Sequence, residues 1–272
     1  LQTLSRAAMY THHESRALAM TVFKSALKPF EWQFQRHLNK AIKDPVLRAK
    51  LTPDYPLGCK RILISNEYYE TLARTNVDVV TDNIAEVTPT GIRTKDGQEH
   101  PVDAIIYGTG FQATDFLAPM KITGRDGVDL NQVWRDGAEA YLGMTVSGFP
   151  NLFLLYGPNT NLGHNSIVYM LESQFSYILD VVKTLQQRDL RFVDVRSQVQ
   201  GVYNRWVQKQ IKNTIWDAGC TSWYKTASGK NTNNWPGFTL VYRYKTRHFD
   251  TQDYELAVKS AQAVLPLQVV AA

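Results

Sequence analysis

The sequence predicts an α/β fold with an N-terminal helical segment and a small β meander, and three observations predict it. Apolar residues recur at three- and four-residue spacing through the first fifty positions. From residue 61 the period changes to short β-branched runs broken by turn residues. Two continuous apolar runs then end in glycine-containing turns, and a long helical pattern follows the second. At 272 residues, 44% of them hydrophobic, the chain is long enough for one large or two modest domains.

Residues 1–51 read as helices. In "ALAMTVFKSALKPFEWQFQRHLNKAI" the helical stripe is Val22, Phe23, Ala26, Leu27, Phe30, Phe34, Leu38 and Ile42, with Pro29 as a break. Asp44-Pro45 is a helix start, N-cap then first position, for "VLRAKL". "TPDYPLG" has the punctuation of a loop. Next, "RILIS" reads as a strand, "EYYETLAR" as a helix and "VDVVT" as a strand. Turns at Thr88-Pro89-Thr90-Gly91 and Asp96-Gly97 predict an antiparallel meander. "DAIIYGTGF" reads as a strand buried on both faces, because its apolar run does not alternate. Residues 121–137 read as a polar linker, and "NLFLLYGPN" as a second buried strand. "HNSIVYMLESQFSYILDVVKTLQQ" is a long amphipathic helix, and residues 197–217 are helical. "GCTSWYKTASGKNTNNWPGFTLVYRY" reads as loop and strand dense in Trp and Tyr.

Composition excludes several classes. The net charge of +5 is compatible with an anionic nucleotide or with a merely basic surface. Lys and Arg do not cluster in the aromatic C-terminal third, so nucleic-acid stacking is not expected. Cys59 and Cys220 lie far apart with no Cys-x-x-Cys pair, which predicts neither a disulfide, a zinc site nor a dithiol redox pair. A reducing, cytoplasmic compartment fits that usage. No apolar run reaches the roughly 18 residues that span a bilayer, and no signal-peptide pattern is present. The chain opens at Leu1, inside what reads as helix, as a piece of something longer would.

Four groups of residues are chemical candidates. The turns at Gly108-Thr109-Gly110 and at Gly157 bring backbone close to a ligand, and the helix start after the second offers free N–H groups. Neither turn is a G-x-G-x-x-G, and none occurs in the chain. His164 and Asn165 can donate into a site or cap the helix. Lys60-Arg61 is either a solvated strand end or a pair with two jobs, since Lys suits a phosphate and Arg a developing anion. Trp223 is either a core anchor or an indole donor to a ribose or amide.

"PLGCKRILISNEYYETL", "VDAIIYGTGF", "YLGMTVSGFPNLFLLYGPN" before a long helix, and "CTSWY…WPG" together resemble the C-terminal half of the flavin-dependent Baeyer–Villiger monooxygenases, relatives of the flavin-containing monooxygenases. The resemblance runs from about residue 20 to 245. It implies part of a two-dinucleotide-binding-domain flavoprotein with incomplete FAD and NADP Rossmann-like domains. Residues 1–107 match the NADPH-binding domain, with 1–55 helical and 56–107 strands and meander. Residues 108–272 match the FAD-binding domain. The Gly-rich fingerprints and the F-x-G-x-x-x-H-x-x-x-W signature are absent from the chain, so the resemblance implies a fragment, inactive alone, whose N-terminal half is expected in cis or as a partner chain.

The implied activity is NADPH- and O2-dependent oxidation of a small-molecule ketone to an ester or lactone through a C4a-peroxyflavin. Arg61 matches the family's catalytic arginine, Lys60 the residue that meets the NADPH 2′-phosphate, and Trp223 one that contacts NADP. Gly108, Thr109, Gly110, Gly157, Asn165 and Ser166 fall on the cofactor-contacting turns. Two alternatives stay open: an N- or S-oxygenating flavin monooxygenase, and a non-catalytic remnant or interaction subunit.

Overall fold

A computed structural model describes residues 2–259. The helices are α1 (Gln2–Thr21), α2 (Lys28–Ala41), α3 (Pro45–Leu51), α4 (Tyr68–Leu72), α5 (Leu130–Val133), α6 (Ile167–Gln187), α7 (Ser197–Ile211) and α8 (Thr239–Lys245). The strands are β1 (Ile84–Thr88), β2 (Gly91–Thr94), β3 (Glu99–Pro101), β4 (Leu190–Val195) and β5 (Tyr254–Val258). The chain divides into two compact units. One holds residues up to Lys24, Gly58–Lys60 and everything from Ala113 onward; the other holds Ser25–Leu57 and Arg61–Gln112.

The meander and the helices before Leu51 form, but the helical stripe is corrected: Val22 and Phe23 are exposed between α1 and α2, and Pro29 opens α2 instead of breaking a helix. α2 begins beside Pro29, which lies in its first turn where a missing N–H costs nothing. The Asp44 carboxylate caps α3 by accepting from Val46 N at 2.9 Å and Leu47 N at 3.4 Å. β1, β2 and β3 make an antiparallel sheet in sequence order. Arg93 on β2 bonds Glu86 on β1 and lies 2.9 Å from Glu99 on β3, a cross-strand ladder on an exposed face.

The larger unit is built on α6. Its inner face, Met170, Tyr177 and Val181, packs with Leu190, Val193 and Val195 of β4, Tyr203 and Val207 of α7, and Trp235, Tyr242 and Tyr254. Three of these phenols are paired: Tyr177 and Tyr254 hydroxyls are 3.0 Å apart, Thr145 reaches Tyr254 at 3.0 Å, and Tyr242 donates to Leu142 O at 2.7 Å, while the Tyr203 hydroxyl has no partner. Such pairing is what lets a core bury hydroxyls without a desolvation penalty. β4 and β5 pair antiparallel, with Asp194 opposite Glu255.

Several expectations are corrected. "RILIS", "VDVVT", "DAIIYGTGF" and "NLFLLYGPN" lie in no strand. A strand exists only by pairing: the first three runs have no described strand alongside them, and "NLFLLYGPN" meets β4 only at Asn151, whose N donates to Val193 O at 3.1 Å. Ile64, Ile106 and Phe111 are accordingly more than 90% exposed. Residues 121–137 are no linker: α5 delivers Leu130 and Trp134 into a second core with Ala140, Val146 and Phe149. The C-terminal aromatic stretch includes α8 rather than loop and strand alone. The β4–β5 pair has no counterpart in the sequence reading. Finally, Cys59 and Cys220 form a disulfide, with Cα atoms 6.4 Å apart. Their separation of 161 residues carries no spacing signature, so only the fold reveals it. Part of the segment assigned to 108–272 lies outside the described residues.

Candidate functional site

In the larger unit, the loop of residues 157–166 that leads into α6 is clamped from two sides. On one side stands the Asn-rich stretch 231–235. Asn159 Nδ2 donates to Asn231 O at 2.9 Å and Asn234 O at 3.2 Å; Asn161 N donates to Asn233 O at 2.9 Å and Trp235 N to Asn161 O at 2.8 Å. On the other side stands Glu14 of α1, which is buried. Its carboxylate accepts from Asn165 Nδ2 at 2.6 Å, Thr239 Oγ1 at 2.8 Å and Leu240 N at 3.2 Å. Neither clamp was legible in the sequence, because each joins residues far apart along the chain. Gly157 passes so close to the Gly143 carbonyl that a Cβ there would collide with it.

Clamped this way, the loop presents buried polar atoms that the protein leaves unpaired. Asn161 Nδ2, both ring nitrogens of His164 and Trp216 Nε1 have no partner, and neither polar atom of the Asn234 amide has one. Trp216 lies against Gly163. Asn234 is bridged to Asn161 through the backbone. Buried unpaired donors cost stability, so a cluster of them marks a place for a polar ligand. Burial holds the His164 imidazole at a pKa of about 4, against which the Glu14 carboxylate pulls weakly upward, so the ring is neutral near pH 7.

The expected site residues fall as follows. Asn165 is half-buried, its amide occupied by Glu14 and its Oδ1 by Ser166 N at 2.8 Å. Ser166 is the N-cap of α6, but its side chain makes no cap hydrogen bond, so the first turn keeps its free N–H groups. Trp223 is half-exposed, its ring centroid 4.3 Å from that of the buried Tyr224. Lys60 is half-buried beside the disulfide. These four positions and Gly157 belong to the larger unit. Arg61, Gly108, Thr109 and Gly110 belong to the other unit, where all four are exposed. Gly110 has φ +83 with open space where a Cβ would stand, so its backbone is accessible. Sequence reasoning missed Glu14, Asn161, Trp216 and Asn234; the Asn run "NTNNW" was the available signal for the last of these. Among the described residues no cluster of three or more His, Cys, Asp or Glu can hold a metal. No described helix is long and apolar enough to cross a membrane.

No protein-family model matches the chain. Individual relatives do. The chain is 47% identical over 266 residues to a Baeyer–Villiger monooxygenase of Pseudomonas aeruginosa, a match covering 97% of the chain and 50% of that protein. It is 43% identical over 255 residues to another from Streptomyces coelicolor, covering 93% and 49%. Among solved structures, OTEMO in complex with FAD and NADP superposes with a TM-score of 0.79 at 28% identity, over 88% of the chain and 46% of that protein. Closed cyclohexanone monooxygenase gives 0.76 at 26%, over 89% and 46%. The chain spans about half the length of the relatives it matches. By sequence and by fold, it is similar to about half of a Baeyer–Villiger monooxygenase.

Proposed function

We propose that these residues form part of an FAD-containing, NADPH- and O2-dependent monooxygenase that oxidises a ketone to an ester or lactone. The observation that carries this reading is the 47% identity to the Pseudomonas aeruginosa enzyme along nearly the whole chain. The exposed apolar runs at 62–64 and 106–111 support a second element of the reading. Unpaired apolar backbone of this kind calls for neighbouring strands, and we assign these to a segment carrying the Gly-rich fingerprints, in cis or as a partner chain. Residues 1–107 and 108–272 then contribute to the NADPH and FAD domains. A cytoplasmic setting, with NADPH at hand, fits this chemistry.

The residues present fit a dinucleotide cofactor. The unpaired donors at Asn161, His164 and Trp216 and the open first turn of α6 suit a polar, anion-bearing ring system. When bound, FAD supplies oxygen activation and NADPH supplies hydride. The chain's own residues bind, orient and neutralise charge. Lys60 presents a compact charge to the 2′-phosphate, and Trp223 an indole N–H to the ribose or amide. Gly108, Thr109, Gly110 and Gly157 let backbone approach the ligand closely. Asn165, held by Glu14, orients the α6 start, while Ser166 leaves its N–H groups free. Arg61 holds a permanent cation opposite the negative charge that develops on the ketone oxygen.

The test is Arg61→Ala in an enzyme completed by fusing this chain to the uncovered half of the Pseudomonas aeruginosa relative. FAD content should be unchanged and ester yield should fall about 10²–10³-fold, as when one oxyanion donor is lost. Arg61→Lys should rescue poorly, because a point charge lacks the planar fork. Normal ester yield from Arg61→Ala, or oxidation of a tertiary amine or sulfide in place of the ketone by the unmutated fusion, overturns the reading.

A further inference from the structure

One face of α1 meets the start of α6 in three rungs, each a helical turn from the next. Arg6 Nη2 lies 3.2 Å from Glu172 Oε1, the Tyr10 and Tyr169 ring centroids are 4.9 Å apart, and the Glu14 carboxylate accepts from Asn165 Nδ2 at 2.6 Å. The partner number falls as the α1 number rises, so the two helices run antiparallel. The rungs differ in weight. Arg6 and Glu172 are exposed, and a pair of that kind contributes little. Glu14 is only 7% exposed, so each donor it holds counts. Its Oε1 accepts from Leu240 N at 3.2 Å in the first turn of α8, whose N-cap residue Phe238 makes no side-chain cap bond. Its Oε2 also accepts from Thr239 Oγ1 at 2.8 Å. Thr239 has one hydroxyl proton and gives it to Glu14, so Tyr10 is the donor in its 2.8 Å contact with Thr239. Asn165 Nδ2 lies 3.4 Å from the same Thr239 Oγ1, and Asn165 Oδ1 accepts from Ser166 N at 2.8 Å. A carboxylate only accepts, so Glu14 decides which end of the Asn165 amide faces α1 and which end meets Ser166.

We propose that Glu14 is a positioning residue for the flavin: acting through the Asn165 amide, it sets the direction in which the first turn of α6 presents its N–H groups. This rests on the reading of that turn as part of the flavin site. The rest of the loop has its own holds, Asn159 and Asn161 against 231–235, and the Tyr10–Tyr169 contact does not depend on Glu14. Losing the carboxylate therefore leaves the loop in place and loosens its exit into α6. A helix N-terminus favours negative charge, and a ring that takes up electrons gains it. The positioned turn thus raises the reduction potential of the bound flavin, and a loosened turn lets it fall. The assignment of NADPH to Lys60 and Trp223 puts the nucleotide on other residues, so its Michaelis constant should hold.

Two experiments test it. On the 272-residue chain, hydrogen exchange is followed at Met170 and Leu171, whose amides close the first turn of α6. Glu14→Gln replaces one acceptor by a donor at almost constant volume. It should raise exchange there about tenfold, the worth of one charge-assisted hydrogen bond, and leave Tyr203 and Val207 of α7 unchanged. Asn165→Ala cuts only the arm to α6 and should do the same; if Glu14→Gln does not fold, Asn165→Ala decides. Combining Glu14→Gln with Asn165→Asp exchanges amide and carboxylate end for end. The new amide then donates to position 165 and to Thr239, its oxygen still accepts from Leu240 N, and protection should return. An equal rise in α6 and α7 marks Glu14 as merely structural and overturns the proposal, as does unchanged exchange at Met170 and Leu171 or no recovery in the exchanged pair. On the completed fusion enzyme, Glu14→Gln should shift the flavin midpoint potential to more negative values. Its kcat should fall about tenfold, with the Michaelis constant for NADPH within about twofold. Unchanged potential and kcat despite raised local exchange overturn both the proposal and the flavin reading of the α6 turn. Unchanged potential, kcat and exchange overturn the proposal and spare that reading.

Discussion

The decisive residues differ in how they meet solvent. Lys60 is the cation assigned to the only group that separates NADPH from NADH. Lys60→Ala in the completed enzyme should therefore weaken NADPH by about 1–2 kcal/mol, the worth of a charge-assisted hydrogen bond, and leave NADH unchanged; Michaelis constants for the two cofactors check it. His164 acts in the opposite regime, buried and neutral. Its folded pKa, about 4, lies below the ordinary value of 6.5 because burial disfavours the charged ring; His13 pushes the same way and Glu14 opposes. Between those values the unfolded chain binds a proton that the native chain refuses, so stability rises with pH across this window and falls on acidification. The loss from pH 7 to 4 should be on the order of 3 kcal/mol for this group. Urea melts over that range should show it, and His164→Asn should flatten the curve; an unchanged slope in the variant would assign the acid sensitivity elsewhere.

Among the elements, what was legible in the sequence is what is decided locally. Asp44-Pro45 caps its own helix, the two meander turns fix their own hairpins, and the stripe of α6 fixes its own buried face. What was illegible depends on partners. "RILIS" and "DAIIYGTGF" have strand composition, but without a described neighbour they stay unpaired. α8 hides in "TLVYRYK", where β-prone residues are overruled because Thr239 and Tyr242 are buried against the α6 core. The β4–β5 pair joins segments some sixty residues apart. Arg125 reinforces it from outside, lying 3.3 Å from Asp194 and 3.0 Å from Glu255 on opposing strands. Asp194 is buried, and desolvation pushes its pKa up against the pull of Gly148 N and Arg125. Because Arg125 itself is half-exposed, its removal should cost about 1–2 kcal/mol, short of a fully buried pair. Thermal melts of Arg125→Ala should show that loss, and adding Asp194→Asn should recover part of it, since no unpaired charge then remains buried.

At the scale of the whole molecule, the proposed cofactor site is divided between what the chain contains and what it lacks. It contains the clamped loop before α6, with unpaired donors at Asn161, His164 and Trp216. It contains no G-x-G-x-x-G among its 272 residues. That turn matters because FAD carries most of its charge on the pyrophosphate, and a helix N-terminus behind a Gly-rich turn is where backbone N–H groups neutralise it. The donors that remain can hold a ring edge but not the doubly charged linker. The purified 272-residue chain should therefore carry far less than one equivalent of flavin by absorbance. Fusion to the Pseudomonas aeruginosa half should bring the ratio near one and raise the melting temperature, since a ligand that binds only the folded state stabilises it. The exposed runs at 62–64 and 106–111 should become protected from hydrogen exchange in the same fusion, because pairing is what they lack. One equivalent of flavin on the chain alone would mean that the α6 loop suffices to hold the cofactor, and that no second segment is needed to build the site.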